Sequence, residues 1–216
     1  MIFLTGATGY MGRHLAAELL RRGHEVTALI RKGSEAKASA GCSVVIGDAL
    51  DAATYRERVP KGATFVHLIG VSHPSPAKAA EFLSVDLVSI RAAVDSARFA
   101  EAGHFVYVSV AHPAPVMQAY IAVRSQGEEL LRASSLRTTI LRPWYVLGPG
   151  HWWPVALIPM YWIMERIPKT RDAARRLGLV TLKQMVTALA DAVDHSGGGV
   201  RVVTVPDIKS GDFCLP

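Results

Sequence analysis

Thr5-Gly6-Ala7-Thr8-Gly9-Tyr10-Met11-Gly12 sets three glycines at a spacing of three, directly after a short apolar run and ahead of a helical pattern. Each glycine answers a physical need. Gly6 permits a tight turn, Gly9 lets the backbone approach a pyrophosphate, and Gly12 allows a helix to pack closely on a strand. The helix that follows offers free N–H groups and the positive end of its dipole to an anion. Thr5, Gly6, Thr8, Gly9, Tyr10, Met11 and Gly12 therefore read as the cradle of a dinucleotide. An Asp or Glu at the end of the second strand would bond a ribose 2′-hydroxyl. Arg31 and Lys32 stand there instead and, with Arg13 after the last glycine, suit a 2′-phosphate. NADP(H) is expected ahead of NAD(H), the alternative being that Arg31 and Lys32 are a solvated surface pair.

Further along, Asp48 and Ala49 occupy the turn after the third strand. Asp48 is placed either to cap an adenine amino group or to act as a helix N-cap. Leu68-Ile69-Gly70 follows the fourth strand and should pass beneath the adenine ribose, Gly70 permitting the close approach. His73, His112 and His151 fall in loops on the same edge. They lack metal-ligand spacing, so no metal site is assigned.

The elements that must position these residues alternate along the chain. Strands are expected over Met1 to Leu4, Glu25 to Ile30, Ser43 to Ile46, Thr64 to Ile69, His104 to Val108, Arg137 to Arg142 and Val200 to Val205. Helices fall between them. The first has Leu15, Ala16, Leu19 and Leu20 on one face and closes at Gly23. Another runs from about Ala77 to Ala100 with an apolar face through Phe82, Val85, Val88 and Ala92. Two more cover Val116 to Ser134 and Leu182 to Asp194. This alternation predicts an α/β fold with a doubly wound parallel sheet, a single domain over residues 1–216. Residues 143–179 break the pattern. They hold Trp144, Trp152, Trp153 and Trp162, and read as a small cap or lobe. A buried lid is the plain expectation; a substrate wall, a dimer patch or a membrane-surface anchor backed by Lys169, Arg171, Arg175 and Arg176 are the alternatives.

The chain has 216 residues, half of them hydrophobic, which excludes a disordered or low-complexity protein. Two cysteines, Cys42 and Cys214, exclude a disulfide scaffold. The formal charge of +6 favours an anionic ligand or surface, yet the basic residues are scattered and form no basic helix, so nucleic acid is not an expected partner. The N-terminus carries no cationic leader, and the apolar stretch 152–167 is too short and interrupted to span a bilayer. The expectation is a soluble cytoplasmic protein, monomer or homodimer.

TGATGYMG, GDAL after the third strand, VHLIG after the fourth and Tyr120 ahead of EELL together resemble a short-chain dehydrogenase/reductase. With EELLRASSLRTTILRPWYVLGPG the resemblance narrows to the atypical, NmrA-like NAD(P)-binding branch, which includes relatives of a complex I accessory subunit. It implies that Pro143, Trp144 and Val146 shape the nicotinamide pocket. Catalytic members of the superfamily carry a Tyr and, four residues on, a Lys, with a Ser on the preceding strand. The matching positions are Ser109, Tyr120 and Arg124, so the lysine is an arginine. Arg124 keeps the charge that favours a tyrosinate but cannot relay a proton.

Two functions of different class follow. One is NADPH-dependent reduction of an apolar carbonyl or quinone-like acceptor. The other is a non-catalytic dinucleotide-binding regulator or assembly factor, which the missing lysine motivates. Isomerisation, epimerisation or dehydration of a nucleotide sugar ranks last, because only 66 residues follow Gly150.

Overall fold

Seven short parallel strands form the centre of the molecule, in the order β3 (Ser43–Ile46), β2 (Val26–Ile30), β1 (Ile2–Thr5), β4 (Thr64–His67), β5 (His104–Val108), β6 (Thr138–Leu141) and β9 (Val200–Val203). A computed structural model of the chain describes residues 1–150 and 152–211. It begins with β1 (Ile2–Thr5), α1 (Tyr10–Arg21), β2 (Val26–Ile30), β3 (Ser43–Ile46) and β4 (Thr64–His67). α2 (Ala79–Glu81) then runs through a π-helical segment, Phe82–Leu87, into α3 (Val88–Phe99). β5 (His104–Val108), α4 (Gln118–Ala133) and β6 (Thr138–Leu141) follow. An excursion of β7 (Tyr145–Leu147), α5 (Ile158–Arg166), α6 (Pro168–Arg176) and β8 (Leu179–Thr181) leads to α7 (Leu182–Asp194), β9 (Val200–Val203) and α8 (Val205–Ser210).

Side chains alternate across each strand, so both faces of the sheet acquire a core. Phe3, Phe65 and Phe105 lie in register on β1, β4 and β5. Their rings sit 5.2 and 5.1 Å apart, and Ile90, Ala93 and Leu131 pack over them. On the opposite face, Ile2 and Leu4 meet Leu15 and Leu19 of α1 and Met185 and Leu189 of α7. Strand order reverses between β1 and β4, and in such sheets a ligand binds at the carboxyl ends of the strands at that point. This is the doubly wound architecture expected from the alternation.

Two elements differ from expectation. The π-helical segment inserts extra residues into the second helical stretch and rotates the face that follows. Phe82, Asp86, Leu87, Ile90 and Ala93 are buried, whereas Val88, expected on the apolar face, is 37% exposed. Residues 143–179 are also not a buried lid as a whole. β7 and β8 close them with a separate two-stranded parallel sheet, but no residue of α5 is buried. His151 and Cys214 lie outside the described residues. Among the described residues, no helix is long and apolar enough to cross a membrane.

Candidate functional site

The turn from β1 to α1 has no room for a side chain at Gly6 or Gly12. Gly6 takes φ +79°, and a Cβ there would stand 3.0 Å from the Leu68 carbonyl carbon. A Cβ at Gly12 would overlap the Gly6 carbonyl oxygen, which keeps the first turn of α1 against the loop. Gly9 is the N-cap of α1 and supplies no side-chain cap, and no acid occupies the first turn. The free amides therefore face an anion unopposed.

Two cavities flank this turn and share Gly6, Gly9, Leu68, Gly70 and Ser72. One, of about 460 Å³, spreads over the ends of β1, β2 and β3. Thr8, Leu29, Arg31, Asp48, Ala49 and Ile69 line it. The other, of about 340 Å³, lies toward β5 and is lined by Tyr10, Met11, Gly12, Val108, Tyr120, Arg124 and Val146. A pyrophosphate cradle with a chamber on either side is the shape a dinucleotide requires, so the residues present fit that group. Arg13 and Lys32 are exposed and line neither chamber. Thr5 lies buried beneath the cradle, its hydroxyl 2.9 Å from Nδ1 of His67.

Asp48 forms an Asx turn, its carboxylate accepting from the Leu50 amide at 2.9 Å, while the helical turn that follows is capped by Asp51. The helix-cap alternative for Asp48 thus falls to its neighbour. Lys37 was not anticipated. The positive φ of Gly33, +83°, turns the chain back so that Ser34 and Lys37 join Arg31 at the cavity wall.

At the other chamber, Tyr120 is half-buried, its ring 5.0 Å from that of Phe82. Arg124 lies one turn on, 5% exposed, with its guanidinium 5.2 Å from the Tyr120 ring and 5.7 Å from that of Tyr107. It donates to the carbonyls of Val108 at 3.0 Å and Ile69 at 3.3 Å. Asp86 Oδ1 stands 2.6 Å from its Nη2, an ion pair that the sequence reading did not include. Burial opposes the charge on Arg124, but Tyr120, Tyr107 and Asp86 outweigh it and keep the pKa above the ordinary arginine range. Gly70 is required here, since a Cβ would overlap Arg124.

Ser109 is placed differently from its expected role. It is 2% exposed and donates to Glu128 at 2.6 Å, and it lines neither chamber. Glu128 is also held by Arg142, whose Nε donates at 2.9 Å. Burial works to raise the Glu128 pKa; the bonds from Arg142 and Ser109 prevail and lower it. The structure brings Tyr120 and Arg124 together and leaves Ser109 in a separate buried network. Of the three residues expected at the nicotinamide pocket, Val146 reaches the chamber. Pro143 is buried, its carbonyl accepting from the Ala111 amide, and Trp144 packs edge-on against Tyr145 at 5.6 Å.

Residues 6–148 match the model of a family described as NAD(P)H-binding. The chain is 32% identical over 153 residues to a ceramide reductase of Caulobacter vibrioides, covering 69% of this chain and 47% of that protein. It is 26% identical over 168 residues to a ketoreductase of Stigmatella aurantiaca named for a 4-farnesyl-3,4-dihydroquinoline-1-oxide, covering 68% and 50%. The chain thus spans about half the length of the curated relatives it matches. Among solved structures it resembles DesIV, a dTDP-glucose 4,6-dehydratase of Streptomyces venezuelae with NAD bound. The TM-score is 0.70 at 21% identity, covering 93% of this chain and 74% of that one, a likeness of fold. The glycine cradle, the strand order and the family match lead to one conclusion: the chain belongs to the NAD(P)H-binding family.

Proposed function

We propose that this chain binds NADPH and reduces an apolar carbonyl or quinone-like acceptor held beside Tyr120. The 340 Å³ chamber carries the reading, because it adjoins the dinucleotide cradle and sets Tyr120 among Met11, Pro74, Val108 and Val146. The relatives named as a ceramide reductase and a farnesyl-bearing ketoreductase support reduction of a long apolar molecule. Arg31 and Lys37, with no carboxylate at the end of β2, support a 2′-phosphate and hence NADPH over NADH.

Gly6, Gly9 and the open N-terminus of α1 would hold the dinucleotide, which when bound would supply the hydride. Tyr120 gives its phenolic proton to the acceptor oxygen as negative charge develops there, and recovers a proton from water. Arg124 stays charged and favours the phenolate without itself moving a proton. Asp86 holds the guanidinium in place. Because Ser109 is committed to Glu128, Tyr120 alone of the three expected residues holds the acceptor oxygen.

NADPH oxidation by a panel of long-chain ketones and quinones tests this. Wild-type protein is expected to turn over at least one acceptor, and Tyr120→Phe to lower kcat about a hundredfold with the NADPH Kd unchanged. Tight NADPH binding with no turnover across the panel would favour the regulator or assembly factor instead.

A further inference from the structure

Half of the exposed large apolar side chains among the described residues fall between positions 152 and 167. Trp152 and Trp162 are each 58% exposed, Ile163 is 55% exposed, and Met160, Ile158 and Ile167 are close behind. They sit on α5 and the turns on either side of it. α5 buries none of its nine residues against the rest of the chain. Tyr161 packs, partly buried, against the core, but Ile158, Met160, Trp162 and Ile163 stay exposed, and an apolar surface of that kind requires something to cover it.

The surrounding charge indicates what that is. Five cations, Arg166, Lys169, Arg171, Arg175 and Arg176, follow the apolar run, against two anions, Glu165 and Asp172. The Arg166 guanidinium carbon stands over the Trp162 ring, 3.2 Å from its centroid, which sets a cation against the apolar surface. Arg171 is fixed by a bond from Nε to the Glu165 carbonyl at 3.0 Å, which ties α6 to the end of α5. The cores of protein interfaces are depleted of charged residues, whereas five cations adjoin this apolar run. An apolar helix bearing Trp162 and Arg166, with Trp152 exposed ahead of it and a cationic helix following at once, instead fits a surface that is apolar below and anionic above.

We propose that α5 and α6 dock this chain on an anionic lipid bilayer, with Trp162 and Ile163 entering the headgroup–acyl boundary and the α6 cations engaging lipid phosphates and carboxylates. The docking does not depend on the reductase reading and is measured by binding alone. It places the protein on the membrane surface, not through it, consistent with the nine-residue length of α5.

The full chain is mixed with phosphatidylcholine vesicles, with or without about a third phosphatidylserine, and sedimented at low and high salt. Binding is expected to the anionic vesicles, several-fold weaker at high salt. Trp162→Ser/Ile163→Ser should weaken it roughly tenfold or more. Lys169→Glu/Arg175→Glu should abolish the preference for phosphatidylserine. Both pairs of side chains are exposed, and the thermal midpoint of each variant verifies that it folds. Three results overturn the proposal. They are no binding by folded wild-type protein, equal binding to both vesicle types, and a dimer that Trp162→Ser/Ile163→Ser dissolves, which would give this face to a second copy of the chain.

Discussion

Arg31 is the residue on which the proposed preference for NADPH over NADH is tested. It follows β2 at the wall of the 460 Å³ chamber, and the Gly33 turn sets Lys37 on the same wall. A guanidinium fork matches a phosphate with two parallel bonds, whereas an uncharged 2′-hydroxyl gains little from it. Arg31→Ala is therefore expected to raise the NADPH Kd roughly tenfold, since a charge-assisted hydrogen bond contributes about 1.5–3 kcal/mol and this one is partly screened by solvent. NADH affinity should stay within about twofold, because that ligand lacks the second anion. Lys32→Ala should leave both unchanged, as Lys32 lines neither chamber. Calorimetric titration with the two coenzymes measures this directly. An equal loss for both at Arg31→Ala would mean that Arg31 only shapes the loop.

The Asp86–Arg124 pair belongs to the scale of elements, because it exists only where the π-helical segment before α3 faces α4. Asp86 is 1% exposed, and its second oxygen accepts from the Val71 amide at 3.0 Å. Breaking such a pair leaves a buried charge alone, at a cost of about 3–5 kcal/mol, whereas replacing both partners with apolar side chains is often close to neutral. Asp86→Leu should lower stability by about 3 kcal/mol, or roughly 6–12 °C in Tm for a chain of this size. Asp86→Leu/Arg124→Met should recover most of that loss while turnover stays low, which would show that the pair serves position more than stability. If the double variant is as unstable as the single one, the pair is structural. The same element marks the limit of what the sequence reveals. Gly6 and Gly12 were legible because a steric requirement is written in the residue type itself. Tyr120 and Arg124 were legible because one helix turn fixes their relation. Asp86 sits 38 positions from Arg124 and inside a π segment, which shifts the helical phase by an amount that periodicity cannot encode. Its one trace was an acid inside an apolar stretch. The bond from Ser109 to Glu128 crosses from strand to helix, and β7 and β8, at three residues each, are too short to show a period.

At the scale of the whole molecule, two histidines are built into the sheet. His67, on β4, lies between Thr5 at 2.9 Å and Ser89 at 3.3 Å, and burial followed by the charge of Arg124 lowers its pKa to about 3. His104, on β5, meets Thr139 at 3.0 Å, and burial followed by Arg201 and Arg137 lowers its pKa to about 4. Unfolded chains protonate histidine near pH 6.5. Both folded values are lower, so the unfolded state binds more protons between these limits, and the stability held above pH 6.5 is lost as pH falls through that window. Carboxylates with depressed values act later. Glu18, held at about 2 by its bonds from Arg21 and Arg22, contributes no loss until pH falls below the ordinary carboxylate range. Between pH 6.5 and 5 the two histidines therefore set the slope, at roughly 1 kcal/mol per pH unit each. Urea unfolding at pH 7.5 and pH 5 should show a loss of a few kcal/mol in the wild type. His67→Gln should start less stable at pH 7.5, because it disturbs the Thr5 and Ser89 contacts, but lose about half as much on acidification. A slope unchanged by His67→Gln would mean that this ring opens to water before it protonates. The cofactor cradle above Thr5 would then be looser than the register of β1 on β4 implies.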